Sequence, residues 1–287
     1  MIFVTEQRRA AVLALDSLTL GAAHQWLVPD PGKVGRMKQP SGLACDSAGR
    51  VVVADRGNDW VVVVDVSTGK TSILDSSDSD IGSLHRPMGV ALTDGGELIV
   101  ADTGNRRIVF ASSLEKPEWE SFGEPGSTGA GEFDAPTGIY VDTAGRVLVA
   151  DPGAKRLVRF DGPDGSGWIE IPLPSGACSA QPYALAGADG GVLVTDLGNA
   201  RVLLVDQDDT VRVLIDGVAD RSLIAPLGVS MLGPDIVVAD AGACRMTRWV
   251  TDDDGRWTLV NQLDGRPRSG GSLEFSSVAG MTVRHLV

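Results

Sequence analysis

The sequence predicts an all-β fold, a six-bladed β-propeller made of four-stranded antiparallel blades. Three observations predict it: a strand-and-turn phrase that recurs along the chain, a composition typical of short strands, and two chain ends that complete one further repeat. Each copy of the phrase ends in an aspartate. These are Asp55, Asp102, Asp151, Asp196 and Asp240, at steps of 47, 49, 45 and 44 residues.

Each repeat contains four short apolar segments separated by turn residues. The first segment follows an x-Pro pair such as Gln39-Pro40, and the second ends at the repeated aspartate, as in "VVVAD" at 51–55. A Gly-Asn turn leads to the third segment, and a weaker fourth segment such as "TSILD" at 71–75 closes the unit. Glycine-rich turns supply the positive φ that tight hairpins need. Helical repeats are excluded because no segment keeps apolar residues at spacings of three and four.

The two ends of the chain together resemble one more repeat. The segment "VAGM" at 278–281 matches "PSGL" at 40–43, and "IFVTE" at 2–6 matches "VVVAD", which puts Glu6 in the aspartate position. We therefore expect the C-terminal strand to be the innermost strand of a blade whose other strands come from the N-terminus. The prediction is one domain over 1–287, with blades 1 to 6 at 278–287 plus 1–28, 39–75, 86–122, 135–172, 181–216 and 225–263.

Composition limits the classes of partner and compartment. The chain has 36 glycines, 5% aromatic residues and a net charge of −13. Nucleic acids and anionic membranes attract basic surfaces, so the charge argues against both as partners. Three cysteines do not form a disulfide framework, and neither a signal peptide nor a long apolar span is evident. The sequence predicts a cytoplasmic protein with no cofactor.

The repeat resembles that of a known family. The pattern x-Pro-x-Gly, followed by an apolar run ending in Ala-Asp-x-Gly-Asn-x-Arg, is similar to the NHL-repeat family of six-bladed β-propellers. The segment "GEPGSTGAGEFDAP" at 123–136 is similar to the glycine-spaced lead-in to a blade in that family. The resemblance covers essentially the whole chain. It implies the propeller fold but no single activity, because the family includes partner-binding scaffolds, RNA binders and a few enzymes.

The repeated aspartates have two interpretations. A ring of carboxylates around one channel mouth would hold a cation. Alternatively, each aspartate caps the following turn through the next backbone N–H groups and pairs with an arginine of its own or the next blade. A residue that serves every blade alike favours the structural interpretation. The arginines concerned are Arg107, Arg156, Arg201 and Arg245.

Function is expected where the repeat changes. Trp60 stands where other blades carry arginine, and the residues before proline are polar or charged in three blades. A bulky tyrosine follows one of these prolines. Both positions lie at the channel mouth in a propeller of this layout, so they predict a ligand-binding surface there. Its predicted residues are Gln39, Trp60, Arg86, Gln181 and Tyr183.

No enzyme site is evident in the sequence. A zinc site like that of the NHL-like amidating lyase would require His24, His85 and His285 to converge, and we place them at different radii. The inner strands carry small residues where related gluconolactonase-type propellers hold a divalent metal, so no metal site is predicted. Those small residues are Gly42, Gly89, Gly138, Ala184, Gly228 and Gly280.

Two further groups favour ordinary structural roles. Cys178 and Cys244 fall in adjacent blades on the mouth face, but nothing in the sequence brings His85 near them to make a nucleophile. The segment "DSSDSDIG" at 75–82 spaces its aspartates like a calcium loop but has the wrong flanks, so it is interpreted as a solvated turn.

The sequence therefore predicts a non-catalytic propeller that binds a protein partner or a small ligand on its mouth face. The alternative is a small-molecule enzyme, a lyase, hydrolase or isomerase, with its site at the same mouth. RNA binding is a third class, which the acidic charge disfavours.

Overall fold

Six four-stranded antiparallel sheets form a ring in the computed structural model, which describes residues 1–16, 24–27, 36–126, 129–174, 180–217, 222–264 and 278–283. The predicted all-β, six-bladed architecture is confirmed. In the described part of the chain, no helix is long and apolar enough to span a membrane.

The strands follow the predicted order within each blade. Blade 1 contains β1 (Ile2–Glu6), β2 (Ala11–Leu15) and β3 (His24–Leu27). Blade 2 contains β4 (Pro40–Cys45), β5 (Arg50–Asp55), β6 (Trp60–Asp65) and β7 (Thr71–Leu74). Blade 3 contains β8 (Val90–Leu92), β9 (Leu98–Asp102), β10 (Arg107–Ala111) and β11 (Trp119–Phe122). A short parallel pair, β12 (Glu124–Pro125) and β13 (Glu132–Phe133), leads to blade 4.

The remaining blades repeat this pattern. Blade 4 contains β14 (Ile139–Val141), β15 (Arg146–Asp151), β16 (Arg156–Asp161) and β17 (Ser166–Ile171). Blade 5 contains β18 (Pro182–Ala188), β19 (Gly191–Asp196), β20 (Arg201–Asp206) and β21 (Val211–Asp216). Blade 6 contains β22 (Pro226–Leu232), β23 (Asp235–Asp240), β24 (Arg245–Thr251) and β25 (Trp257–Asp264). The last strand, β26 (Val278–Val283), pairs antiparallel with β1 and gives blade 1 the order β26-β1-β2-β3. Three single-turn 3-10 helices follow the aspartates, at Thr103–Asn105, Leu197–Asn199 and Ala241–Ala243.

The middle strands of each blade are apolar on both faces because a neighbouring blade covers each side. In β5, the residues from Val51 to Ala54 are all buried, whereas the outermost strand β17 is largely exposed. Unbroken apolar runs are typical of strands covered on both faces. The core of the molecule is therefore divided into layers between blades.

Apolar clusters join each pair of neighbouring blades among the described residues. The cluster between blades 6 and 1 packs Ile2 and Leu13 against Val237 and Met246. Equivalent clusters lie at the other blade junctions. Each blade thus buries its two faces against different neighbours, and the ring needs every blade for its burial.

Glycines allow the innermost strands to meet backbone to backbone. A Cβ atom on Gly89 of blade 3 would lie 1.9 Å from the Thr137 carbonyl oxygen of blade 4. A Cβ on Gly42 would lie 2.6 Å from the Met88 oxygen, which accepts a hydrogen bond from the Gly42 N–H at 2.7 Å. Real Cβ atoms do not approach carbonyls so closely, so a side chain at these positions would separate the blades.

An aromatic cluster fills the junction between blades 3 and 4. Phe133, from the segment that leads to blade 4, is fully buried. Its ring lies edge-on to Phe122 and Trp168, and Trp168 stacks on Phe160 at 5.9 Å. The lead-in segment therefore contributes to the core, although the repeat has no equivalent phenylalanine at the other blade junctions.

We predict that Gly89→Ala will lower the free energy of unfolding by about 3 kcal/mol, because its methyl group would overlap the Thr137 carbonyl. Gly228→Ala is the matched control, since its Cβ would meet nothing closer than 3.1 Å, at the Met281 nitrogen. Urea denaturation followed by circular dichroism measures both. Equal losses of stability in the two variants would contradict the conclusion that the innermost strands are too close for a side chain at Gly89.

Candidate functional site

The loops that precede the x-Pro pairs and the turns that follow the repeated aspartates lie on one face, here called the mouth face. Backbone hydrogen bonds join the two in several blades. The Arg56 N–H donates to the Gln39 oxygen at 3.1 Å, and the Leu197 N–H donates to the Gln181 oxygen at 2.9 Å. The loops that carry Gln39 and Gln181 therefore lie against the turns that follow Asp55 and Asp196.

Each repeated aspartate is fully buried and binds the loop that precedes its own blade. The Asp55 carboxylate accepts the N–H groups of Lys38 at 3.1 Å and of Gln39 at 2.9 Å. Asp102 accepts the His85 N–H at 2.7 Å, and Asp196 accepts the Gln181 N–H at 2.9 Å. The carboxylate thus fastens the start of the innermost strand to the end of the second strand.

The donors differ from the Asx-type cap expected from the sequence. The N–H groups of Asn58 and Asp59 donate to the Asp55 backbone oxygen and not to its carboxylate. That side-chain cap is wrong for Asp55, because its carboxylate is directed at the preceding loop. In blade 1 the glutamate does cap its turn, since Glu6 accepts the Arg9 N–H at 2.6 Å.

Side chains from the turn add further donors to the carboxylates of several blades. Asn58, Asn105 and Asn199 donate their side-chain amides to the aspartate of their own blade. The arginines also pair within their own blade, with Nε–carboxylate distances of 2.8 Å for both Arg107–Asp102 and Arg201–Asp196. The structure therefore resolves the two pairings that the sequence left open. Saturated in this way, these carboxylates have structural roles.

Blade 4 departs from this arrangement. Arg156 pairs with Glu170 and lies over the Trp168 ring, and its Nε stays 3.8 Å from Asp151. Burial raises the pKa of the Asp151 carboxyl, and the N–H groups of Ala135 and Asp134 only partly offset that rise. A raised pKa in the folded state means that this group favours folding less as pH rises above its ordinary value.

Three of the predicted binding residues have exposed side chains on the mouth face: Gln39, Arg86 and Gln181. Their backbones are held firmly. Arg86 adopts a φ of 50°, and its N–H donates to an Asp59 carboxylate oxygen of the neighbouring blade at 2.6 Å. The same Asp59 oxygen lies 3.6 Å from Nδ1 of His85. Their role in binding stays a prediction.

Trp60 is less accessible than a binding residue at a rim would be. Its ring is half-buried against the apolar cluster between blades 1 and 2, which includes Met37 and Val62. Its indole N–H is buried without a hydrogen-bond partner among the described residues. The tryptophan thus fills space at this blade junction, and its role in recognition stays a prediction.

Tyr183 lies at the central channel, and Arg56 lies near it. These two residues belong to blades 5 and 2, which are opposite each other in the ring. Burial raises the pKa of the Tyr183 hydroxyl, and the positive charge of Arg56 partly offsets that rise. The Arg56 Nε is buried with no hydrogen-bond partner among the described residues. The sequence analysis missed Arg56, although it is the one charged residue at the position after the repeated aspartates.

The channel itself is narrow. Its cavity measures about 50 Å³ and is lined by Ser41, Met88, Thr137, Tyr183 and Leu227 together with the inner glycines. A few water molecules fill such a volume, whereas small-molecule pockets need about 300 to 1,000 Å³. A larger ligand does not fit inside this cavity.

Part of the remaining sequence candidates lies in the structure, and part lies outside the described residues. Cys178, His285 and the His24 side chain lie outside the described residues, while Cys244 is in a hairpin turn with a φ of 52°. No group of three or more His, Cys, Asp or Glu side chains in the described ranges is arranged to hold a metal ion. In the 75–82 segment, Ser76 donates to the Gly82 oxygen and Ser77 to Asp75, as expected of a turn.

The comparison with family models finds an NHL repeat in blade 3. The NHL repeat model matches residues 84–109, which contain the loop before β8, the strands β8 and β9, the following turn and the start of β10. The chain is a six-bladed β-propeller that contains an NHL repeat. No curated protein sequence matches it.

Solved structures share the fold of this NHL-repeat propeller at low identity. A nidogen/laminin complex is similar at 16% identity and a TM-score of 0.73, covering 98% of this chain and 96% of that chain. Virginiamycin B lyase from Staphylococcus aureus is similar at 16% identity and a TM-score of 0.60, covering 77% of this chain and 69% of that one. A streptogramin B lyase structure is similar at 16% identity and a TM-score of 0.61, covering 92% of this chain and 76% of that chain. These likenesses show the fold alone.

We predict that Arg201→Met will destabilise the propeller by about 3 kcal/mol, because it leaves the buried Asp196 carboxylate without its cation. Adding Asp196→Asn should recover part of that loss. Arg212→Met, at an exposed arginine of the same blade, should change stability by less than about 0.5 kcal/mol. Urea unfolding of the unchanged protein, the two single variants and the double variant measures the interaction between Arg201 and Asp196. A double variant no more stable than Arg201→Met would refute the conclusion that the unpaired carboxylate causes the loss.

Proposed function

We propose that this NHL-repeat propeller is a binding module that holds a protein partner on its mouth face. The observation that carries the proposal is the half-buried Arg56, whose charge acts on Tyr183 at the channel and whose Nε has no hydrogen-bond partner among the described residues. A partly desolvated guanidinium favours an acceptor that satisfies its donors, and an anionic acceptor most of all. The chemistry at the centre of this face thus fits a carboxylate.

A protein partner fits the shape better than a small ligand. The channel offers only about 50 Å³, so a small molecule cannot be enclosed there. A single acidic side chain from a partner can reach the mouth while the rest of the partner covers the rim. Gln39, Arg86 and Gln181 then supply exposed hydrogen-bonding groups around this central contact, as polar rims do in interfaces.

The solved structures with this fold include both classes of protein. The nidogen/laminin complex is an assembly of proteins, and the lyases are enzymes.

We also propose that the protein is located in the cytoplasm, because its few cysteines fit a reducing compartment.

We predict that Arg56→Gln/Tyr183→Phe will weaken binding of acidic peptides at least tenfold, because it removes the charged donor and the hydroxyl at the mouth. The probe is a random-peptide display library selected on the purified chain, with affinities of the enriched peptides measured by calorimetry. Arg212→Gln/Tyr140→Phe makes the same chemical changes elsewhere and should leave the affinities unchanged. Enriched peptides without acidic residues, or equal binding to both variants, would overturn the proposal.

One observation favours the enzyme alternative, a lyase, hydrolase or isomerase at the mouth. His85 is exposed, its Nδ1 lies 3.6 Å from an Asp59 oxygen, and Arg86 is adjacent. A histidine close to a carboxylate can act as a general base. No thiol is placed beside it in the described residues, so a proton-transfer role is the one this pair supports.

We predict that the purified protein will leave virginiamycin B intact, because the site lacks a pocket that encloses a substrate. Liquid chromatography with mass spectrometry over a day of incubation measures this, with a streptogramin B lyase as positive control. Turnover that is lost in His85→Gln and kept in Arg212→Gln would establish the enzyme alternative instead.

A further inference from the structure

A groove lies on the face opposite the mouth, between blades 3 and 4. It is here called the interblade groove, and its volume of about 530 Å³ falls within the range of small-molecule sites. The turn between β8 and β9 and the turn between β14 and β15 form its two walls. This groove is separate from the channel, so it is a second candidate surface.

The floor of the interblade groove is apolar. Phe110 of blade 3 is partly buried there, and Val141 and Val147 of blade 4 lie alongside it. Such a floor binds an apolar body, and the aromatic ring adds a face that attracts cations.

The rim of the groove carries only negative charge. Asp94, Glu97, Glu118 and Glu120 are all exposed there and form no ion pair with a described residue. The fifth acid, Asp142, is already paired with Arg146 at 2.6 Å. Among the described residues that line the groove, none is a lysine or an arginine. The excess negative charge favours a positively charged ligand.

A metal ion does not fit these carboxylates. They are spread along the rim, and the described residues contain no His, Cys, Asp or Glu group arranged to hold a metal. A diffuse negative rim above an apolar, partly aromatic floor instead complements an organic cation with an apolar body. The potential extends beyond the groove, since burial and the charges of Asp142 and Asp94 raise the pKa of the nearby Tyr140 hydroxyl.

We propose that the interblade groove is a binding site for small organic amines that carry an apolar or aromatic group. The cationic nitrogen lies among the rim carboxylates, and the apolar group lies on the floor at Phe110. The site is on the opposite face from the mouth and is independent of the proposed function. Either can fail without the other.

Three probes of similar size and different charge test this site. Benzyltrimethylammonium is cationic, benzyl alcohol is neutral and benzoate is anionic. In 20 mM buffer we expect benzyltrimethylammonium to bind at least tenfold more tightly than benzyl alcohol, to shift Phe110 resonances in NMR titrations, and to weaken as salt is raised. Benzoate should not bind. Equal binding of the three probes, or shifts that spare Phe110, would overturn the proposal.

Variants separate the groove from the general acidity of the protein. Glu118→Gln/Glu120→Gln should weaken benzyltrimethylammonium about five- to tenfold, since it removes two rim charges. Asp253→Asn/Asp254→Asn removes two exposed charges from a turn of blade 6 and should have no effect. Ala144→Trp should block binding by filling the groove without altering its charge. Equal weakening by the two charge variants, or full binding by Ala144→Trp, would refute the site.

Discussion

The ring depends on the close approach of its innermost strands around one axis. Five of the six positions there are glycine, and a Cβ at Gly89 or Gly138 would lie within 2.3 Å of a carbonyl oxygen in the next blade. That constraint sets the channel cavity at about 50 Å³ and places the apolar clusters between blades. It also means that ligands bind on the outer surface of the propeller, because the central channel is too narrow to hold one. Ala184 is the one exception in the inner ring, and it belongs to the blade that also carries Tyr183.

The second requirement is attachment of each inner strand to its blade. The repeated aspartates do this by binding the loop before the innermost strand, with help from asparagine and arginine of the same blade. Such a buried carboxylate is favourable only when its hydrogen bonds are complete. Blades 3 and 5 have both the asparagine and the arginine donor, and in every blade with an aspartate the preceding loop donates a backbone N–H to it. Variation is tolerated at positions outside this shell, such as Arg56 and Arg86, and these are where chemical identity changes from blade to blade.

Much of the fold was predictable from the sequence, because strand length, turn residues and the inner glycines recur at one period. The site was less so. Gln39 and Gln181 are at the rim as expected, yet Trp60 is half-buried, since the space left by the missing arginine is filled by apolar packing from blade 1. Arg56 was missed because its only signal is one position in one repeat. The interblade groove could not be predicted at all, since its walls come from turns in different blades whose separation depends on the twist and packing of whole sheets.

The turn that begins at Asp142 separates two cavities. On one side lies the interblade groove, and on the other lies a cavity of about 470 Å³ between blades 4 and 5, lined by Tyr140, Arg159 and Asp209; Asp142 and Thr143 contribute to both. A ligand that displaces this turn changes the width of both cavities. Occupancy of the two is then thermodynamically linked, and each occupant alters the affinity for the other by the same factor.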